Sequence, residues 1–299
     1  MTINGILIRK VCGVECNPDI EFYGLYNLSH KSTDNFLSWL NDIKYLEELE
    51  NNPLIKGVFT DFEISKNIRR SDLQIIICDD PLASAFLLSN YITKQQKIIF
   101  KSDIAKTAKV SPLAYICKNN VIIGENCIIE PFVTIMENVE IGNNVIIRAG
   151  ARIGADNFDR HLSKNGNVIR LDSIQKVILK NGCEIGSNTV IDKGDSGRDT
   201  SIGENTMIHD NVQVCHGVII GDRTHIWGGA FFCGHCTIGN DVKIQPRSII
   251  SNHVIIEDKC YVGINSLVTQ NLEIGSSFFG MRKLQSLDKL NALKDRFTK

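Results

Sequence analysis

From residue 202 to residue 274 an apolar side chain recurs every six positions: Ile202, Ile208, Val214, Ile220, Ile226, Phe232, Ile238, Ile244, Ile250, Ile256, Val262, Val268 and Ile274. A helical stripe needs steps of three and four, and a lone strand alternates by two over about 4 to 8 residues, so neither accounts for the run. A sustained six-residue period predicts a parallel β-helix, in which each hexad is one short face and neighbouring coils bury one another's apolar positions. The period extends upstream at Ile123, Ile129, Ile135, Ile141, Ile147 and Ile153, again at Leu179, Ile185 and Ile191, and in a shifted lead-in at Ile104, Val110 and Ile116. Three hexads make one triangular coil of about eighteen residues, so residues that far apart are expected to stack. Gly often follows the apolar position, as at Gly124, Gly142, Gly203, Gly221 and Gly239, which suggests a sharp backbone bend there. A small residue such as Cys127, Cys183, Ala230, Cys236, Val242 or Cys260 takes the fifth place of the hexad.

Residues 1–101 lack the period and read as a small α/β domain, followed by the β-helix over 102–279 and a C-terminal segment over 280–299. In the first domain strands are expected over 5–9, 57–60 and 73–78, one helix over 42–51, and another opening at Asp80-Pro81 and running through Leu88. Asp at the N-cap and Pro in the first turn are the start signals of that second helix. Two polar stretches interrupt the β-helix. The first, 155–177, contains an Asn-Gly turn at 163–166, and the second, 192–201, is rich in Asp, Gly and Lys. Insertions in a solenoid map to one face, often the binding face. Leu284, Leu287, Leu290, Leu293 and Phe297 predict a short amphipathic helix over 283–297.

Composition narrows the class. The chain of 299 residues is 43% hydrophobic and 22% charged with a net charge of −1, which argues against a phosphate-reading nucleic-acid surface. No apolar run approaches the ~18 residues of a membrane span, and no secretory leader is read, so a cytoplasmic protein is expected. Ten cysteines, with Cys233-Gly-His-Cys236 spelling a CxxC, raise bridges or zinc. The repeat instead assigns Cys127, Cys183, Cys236 and Cys260 to the small core position, as free thiols of a reducing compartment.

Candidate chemistry centres on histidine. Five of the seven, His209, His216, His225, His235 and His253, fall in the long repeat block. His235 and His253 are one coil apart and His216 lies nineteen residues before His235, so these three are expected along one edge. Metal binding would follow the H-x4-H pattern of carbonic anhydrases of this architecture, but positions 221, 230 and 240 are Gly, Ala and Asn. No metal is therefore expected, and a neutral imidazole acting as general base fits better. Asp210 is a candidate to orient it, although it stands one hexad earlier.

These residues resemble the hexapeptide acyltransferases, in particular the UDP-3-O-(3-hydroxyacyl)glucosamine N-acyltransferases of lipid A synthesis, over nearly the whole chain. Val214-Cys-His-Gly217 resembles that family's I-A-H-N segment with the catalytic base, Ser251-Asn-His253 its second histidine segment, and Ile191-Asp-Lys-Gly194 its I-D-R-G. Asp80-Pro-Leu-Ala-Ser-Ala-Phe86 resembles D-P-Y-L-A-F, and Ser38-Trp-Leu-Asn-Asp-Ile-Lys-Tyr-Leu46 resembles S-F-L-A-N-P-K-Y-L, a segment that holds the nucleotide base between aromatics. The resemblance implies a left-handed parallel β-helix, a homotrimer with sites at subunit interfaces, and a nucleotide-linked amino sugar as acceptor. It implies no permanently bound cofactor, with acyl-CoA or an acyl-carrier protein as co-substrate. His216 would be the base, and His253 would bind the pantetheine arm or polarise the carbonyl with the Gly234 N–H. Asp210 and His235 join them as substrate-binding candidates. Trp39 and Tyr45 would stack on the base, unless they are only core aromatics of a helix start, and Asp42 stands where the family reads the base with Asn.

Two departures shape the specificity expected. Gln245-Pro246-Arg247 replaces small residues along the acyl groove, so Gln245, Arg247 and Leu267 are expected to line a closed pocket that takes an acetyl to hydroxybutyryl group from acyl-CoA. Asp42 suggests dTDP as much as UDP. The leading expectation is a short-chain N-acyltransferase of amino sugars for a surface polysaccharide or lipopolysaccharide. The alternatives are the lipid A enzyme itself, a non-catalytic β-helix scaffold and, last, a metal-dependent hydratase.

Overall fold

The computed structural model describes residues 2–28, 33–195, 197–280 and 282–284. They divide into two compact units. One comprises 1–98 together with 158–174, and the other 99–157 with 175–299.

In the first unit, strands Phe36–Leu40, Ile55–Thr60 and Gln74–Ile77 form a parallel sheet with Ile55–Thr60 in the centre. The helix Pro81–Gln96 opens as its sequence signals predict, with Asp80 accepting from the Ala83 N–H at 3.1 Å. The same carboxylate reaches into the first insertion, where His161 Nε2 lies 2.7 Å away and the Lys164 N–H donates at 3.0 Å. That insertion is the expected hairpin: Arg160–Leu162 pairs antiparallel with Val168–Arg170, and Gly166 carries the left-handed turn. The segment 42–51 forms a 3-10 turn and then the helix Leu46–Asn51, with Asp42 as the cap. One strand expectation fails. Gly5–Cys12 is a helix, capped by Asn4 accepting from the Leu7 N–H and closed by left-handed Gly13. Its β-branched residues suggested a strand, but a two-ended cap and a helical period decide the outcome: Ile8 is buried while Ile6 is 63% exposed.

The second unit is a parallel β-helix with three faces of ten, eight and eight strands. Ile128 on the first face pairs with Ile146, Phe231 on the second with Ile249, and Ile219 on the third with Thr237. The hexad residues from Ile202 to Val268 are no more than 2% exposed, each contributing about 1.5 to 3 kcal/mol of burial. The last hexad departs from the count. Leu272 bridges to Ile256 and is buried, whereas Ile274 is 64% exposed, because the final third-face turn is two residues short. Arg282–Leu284 then pairs antiparallel with Ser277–Phe279. The helix expected over 283–297 thus begins in strand, and its remainder lies outside the described residues. Among the described residues no helix is long and apolar enough to cross a membrane.

The corners are built differently from the expectation. Left-handed φ falls on asparagines such as Asn126, Asn144 and Asn188, on other side chains such as Arg223, His235 and His253, and on glycines such as Gly182 and Gly229. Of the glycines that follow the apolar position Gly154 and Gly275 carry it, while Gly124, Gly142, Gly203, Gly221 and Gly239 keep ordinary φ. Those glycines answer to a close approach instead: a Cβ on Gly124 would lie 2.5 Å from Asn143 Oδ1, and one on Gly239 2.4 Å from Asp258 Oδ1. The same carboxamides and carboxylates form a ladder, each accepting from a backbone N–H of the preceding coil. Glu125 donates to Asn143 at 2.7 Å, Glu204 to Asp222 at 2.8 Å, Asp222 to Asn240 at 2.8 Å and Asn240 to Asp258 at 2.7 Å.

A second ladder lies inside. Thr206 Oγ1 donates to the Gly221 carbonyl at 2.7 Å, Thr224 Oγ1 to Gly239 at 2.9 Å and Ser248 Oγ to Gly263 at 2.9 Å, while Cys127, Cys183, Cys236 and Cys260 direct their thiols at corner carbonyls in the same way. All ten cysteines are unbridged. Burial pushes the Cys236 thiol up to about 12, which makes it a poor thiolate donor for metal or redox work.

Thr224→Val keeps the volume of a buried side chain but leaves the Gly239 carbonyl and the Val242 N–H without the Thr224 hydroxyl. Its denaturant midpoint is expected to fall by the equivalent of about 1 to 3 kcal/mol. An unchanged midpoint would show that the hydroxyl ladder contributes nothing.

Candidate functional site

The site forms at the corner where the second face turns into the third. His216 follows the strand Gln213–Val214, His235 follows Phe231–Phe232 and His253 follows Ile249–Ile250, so the repeat itself stacks them. The His216 and His235 rings meet edge to face with centroids 5.2 Å apart, and the His235 and His253 rings stack at 5.3 Å. His216 is not in the same column as the other two. It lies above Gly234, where a Cβ would come within 2.4 Å of His216 Cε1. Gly217 shares the column of His235 and His253, and a Cβ there would sit 2.8 Å from His235 Nδ1. Both glycines make room for imidazoles.

The second insertion brings in the residue that completes the cluster. Asp195 and Arg198 exchange backbone hydrogen bonds at 3.1 and 2.8 Å, closing a tight loop beside Gly194, where a Cβ would come within 2.0 Å of the Arg198 carbonyl. Asp195, only 2% exposed, places Oδ2 3.1 Å from His216 Nδ1 and Oδ1 2.8 Å from His235 Nε2. Asn157 donates to the same carboxylate at 3.2 Å. At these distances the carboxylate favours a proton on the imidazole nitrogen that faces it, and a His216 protonated on Nδ1 would keep the lone pair of a base on Nε2. The His216 side chain is 22% exposed and that of His235 is 11% exposed. Arg198 turns its guanidinium to the carbonyls of His235 and Cys236 and to Thr237 Oγ1, fixing the loop to the corner.

Nothing in the periodicity selected Asp195. The available signal was an Asp-rich, Gly-flanked interruption entering the repeat block just before His216. Its neighbour Asp192 accepts from Gln213 at 3.1 Å, and burial raises its carboxyl to about 6 in spite of that bond and the attraction of His216 and Arg152. Burial also lowers the pKa of His253, aided by His235, Arg198 and His216, so His253 stays neutral further into acid than an ordinary histidine.

The other candidates lie elsewhere. Asp210 occupies the corner between the first and second faces, where it accepts from the Ser187 N–H at 2.6 Å as part of the Asx ladder. It therefore caps a turn one corner away from His216. Gln245, Pro246 and Arg247 also form a first-to-second corner, and Leu267 faces outward from the second face. In the first unit Trp39 lies in the strand Phe36–Leu40 and packs against the core, whereas Tyr45 is 40% exposed with Lys44 Nζ 4.8 Å from its ring centre. Asp42 accepts from the Lys44 N–H at 3.1 Å and pairs with the Lys44 ammonium at 2.8 Å.

The chain matches the family description "Bacterial transferase hexapeptide (six repeats)" over residues 120–155 and 199–234. It is 36% identical over 145 residues to the probable UDP-3-O-acylglucosamine N-acyltransferase 2, mitochondrial, of Arabidopsis thaliana, covering 48% of this chain and 47% of that one. It is 35% identical over 147 residues to the UDP-3-O-acylglucosamine N-acyltransferase of Methylorubrum extorquens, covering 49% and 41% of the two chains. With the Bordetella pertussis protein of the same name it shares 32% over 158 residues, 52% of this chain and 43% of that one. The matches thus span less than half the length of these relatives. The solved Francisella novicida UDP-N-acetylglucosamine acyltransferase superposes with a TM-score of 0.52 at 22% identity, over 64% of this chain and 71% of that one. The fold is accordingly the left-handed parallel β-helix, and the resemblance to the UDP-3-O-acylglucosamine N-acyltransferases stands.

The expectation of a short acyl group moved from acyl-CoA to a dTDP- or UDP-linked sugar for surface polysaccharide does not stand, because the relatives carry the name of its alternative, the lipid A enzyme. The physical grounds for it weaken too. Gln245 and Arg247 occupy a different corner from the histidine column, and Asp42 is explained by its own turn and by Lys44.

Two outcomes test the site. An unfolded Asp titrates at about 3.9. Between there and about 6 the folded chain holds an Asp192 proton that the unfolded chain has lost, so this group's contribution to stability falls as pH rises through that window. Asp192→Asn should therefore gain stability relative to wild type as denaturant midpoints are taken from about pH 4 to about pH 7, and a gap constant with pH would refute the assignment. Gly234→Ala should displace the His216 ring, visible as a changed His216 imidazole resonance with the circular dichroism of the β-helix preserved. An unmoved resonance would show that the glycine is not needed for space.

Proposed function

We propose that the chain is an acyltransferase that moves an acyl group from a thioester to the amine of UDP-3-O-acylglucosamine. The names of its relatives support the acceptor, and the observation that carries the chemistry is the buried Asp195 carboxylate 3.1 Å from His216 Nδ1. A sugar amine is largely ammonium near neutral pH and cannot attack a carbonyl. The ammonium first gives one proton to solvent; His216 Nε2 takes a second as the amine nitrogen forms the C–N bond, the C–S bond breaks, and that second proton passes to the departing thiolate. Asp195 holds the productive tautomer and stabilises the imidazolium formed on the way. His253, neutral and one coil from His235, supplies a ring N–H to the carbonyl oxygen as negative charge develops there, and the Gly234 N–H is the second donor.

The acyl donor is a thioester of coenzyme A or of a carrier protein, and no permanently bound cofactor takes part. Exposed Tyr45 with its neighbour Lys44, and Trp39, are the nucleotide-binding candidates of the first unit. The active form is a homotrimer. Supporting this, Phe231, Ile249 and Leu267 stack in register as a partly exposed apolar ladder on the second face, a surface suited to burial against another chain.

His216→Gln should lower amide formation with UDP-3-O-acylglucosamine by about 10² to 10⁴-fold while light scattering still reports three chain masses. The assay is run in parallel with acyl-CoA and acyl-carrier protein donors, by mass spectrometry of the amide product. Transfer by wild type with neither donor would sink the reading, and a loss below about tenfold would remove His216 as the base.

A further inference from the structure

Asp195, His216 and His235 do more than form a base and its support. Their donor atoms, one from each side chain, all lie within 4.8 Å of one another. Two imidazoles and one carboxylate converging from three turns is a ligand set suited to a divalent ion of the zinc class, which binds imidazole nitrogen at about 2.0 to 2.1 Å and carboxylate oxygen at about 2.0 to 2.2 Å. We propose that these three residues form a metal site for Zn²⁺ or a similar borderline ion, with the fourth position open to water.

The geometry favours it on three counts. The carboxylate already stands between the two rings, 3.1 Å from His216 Nδ1 and 2.8 Å from His235 Nε2, so small side-chain shifts bring all three ligands around one centre. Asn157 holds the carboxylate from outside by donating to Oδ2, the partner that orients a metal-binding oxygen. Two carboxylates face the cluster, Asp195 as a ligand and Asp192 through its interaction with His216, against the one guanidinium of Arg198, which is turned to the carbonyls of His235 and Cys236 and to Thr237. The H-x4-H spacing could not reveal the site, because one ligand comes from an insertion and the two histidines belong to adjacent coils.

The site and the base use the same ring in different protonation patterns. As a base, His216 carries its proton on Nδ1 towards Asp195 and offers Nε2. As a ligand, Nδ1 gives its lone pair to the metal and the ring proton moves to Nε2, which becomes a donor and cannot accept a proton from an amine. Both ligand rings stay neutral by shifting tautomer, His216 from Nδ1–H to Nε2–H and His235 from Nε2–H to Nδ1–H, so the ion binds without releasing a proton or consuming another reactant. Zinc is therefore an inhibitor that competes with the catalytic tautomer. The inhibitory consequence rests on the acyl-transfer reading, whereas metal binding does not.

The test uses the full chain without substrate. Co²⁺ is titrated while the visible absorption of a low-coordinate cobalt centre is followed, and Zn²⁺ is titrated by calorimetry, for wild type, Asp195→Asn and His235→Gln. One ion per chain is expected in wild type, with affinity at least tenfold weaker in each variant and circular dichroism unchanged. No stoichiometric ion in wild type, or equal affinity in a folded His235→Gln chain, would overturn the site. A separate arm adds Zn²⁺ to the wild-type transfer assay and then removes it with a chelator. Reversible inhibition supports the shared role of His216, and a chain that binds zinc yet transfers acyl groups at an undiminished rate would overturn that role while leaving the metal site in place.

Discussion

Parallel stacking in fixed register is the constraint on which this molecule depends. Each strand of the β-helix pairs with the strand one coil away, so inward apolar positions stack on inward apolar positions, while outward positions mix, as Ile219 beside Thr237 does. An Ile column packs an Ile column, a Thr or Cys column satisfies a carbonyl column, and an Asn or Asp column caps a column of N–H groups. The polar columns matter as much as the apolar one. Each coil turns sharply three times, and the turns leave backbone groups without a strand partner, some exposed, as at Glu125 and Glu204, and some buried, as at Gly263. Side chains of the adjacent coil supply the missing partners, which ties neighbouring coils together at their corners as well as through their cores.

A strictly regular prism has no pocket of its own, and the chemistry enters where regularity fails. The insertion carrying Asp195 is held by a Gly194 approach, a two-way backbone turn and the Arg198 guanidinium. It delivers one buried carboxylate against two imidazoles that the repeat had already stacked. A carboxylate so buried is costly unless it is paired, and the two histidines with Asn157 provide the pairing. In the proposed reaction the ring that helps to stabilise the buried charge is also the one oriented for proton transfer, so positioning and stability would come from the same contacts.

Much of this was legible as spacing. The hexad count predicted the core columns and the convergence of His216, His235 and His253, because register in a solenoid is simple arithmetic. The helix start at Asp80-Pro81 and the Asn-Gly hairpin were legible from local turn chemistry. Other features were misread because one residue type serves two purposes. Glycine after the hexad residue suggested bending, which holds at Gly154 and Gly275, but Gly124, Gly142, Gly203, Gly221 and Gly239 keep ordinary φ and answer instead to the backbone or a side chain of the next coil. The run at Gly5–Cys12 has strand-like residues in a helix fixed by its caps.

The sequence alone determined the period, the columns and the edge shared by three histidines, since these follow from covalent spacing and the six-residue length of a face. Only the tertiary structure decided that Asp195 stands between two of those imidazoles. Its position depends on the path of an irregular loop, fixed by hydrogen bonds to carbonyls about 37 residues further on. It likewise decided that His216 lies over Gly234 rather than in the column of His253. A count places residues along a chain, but the direction in which an imidazole points is set by what packs around it.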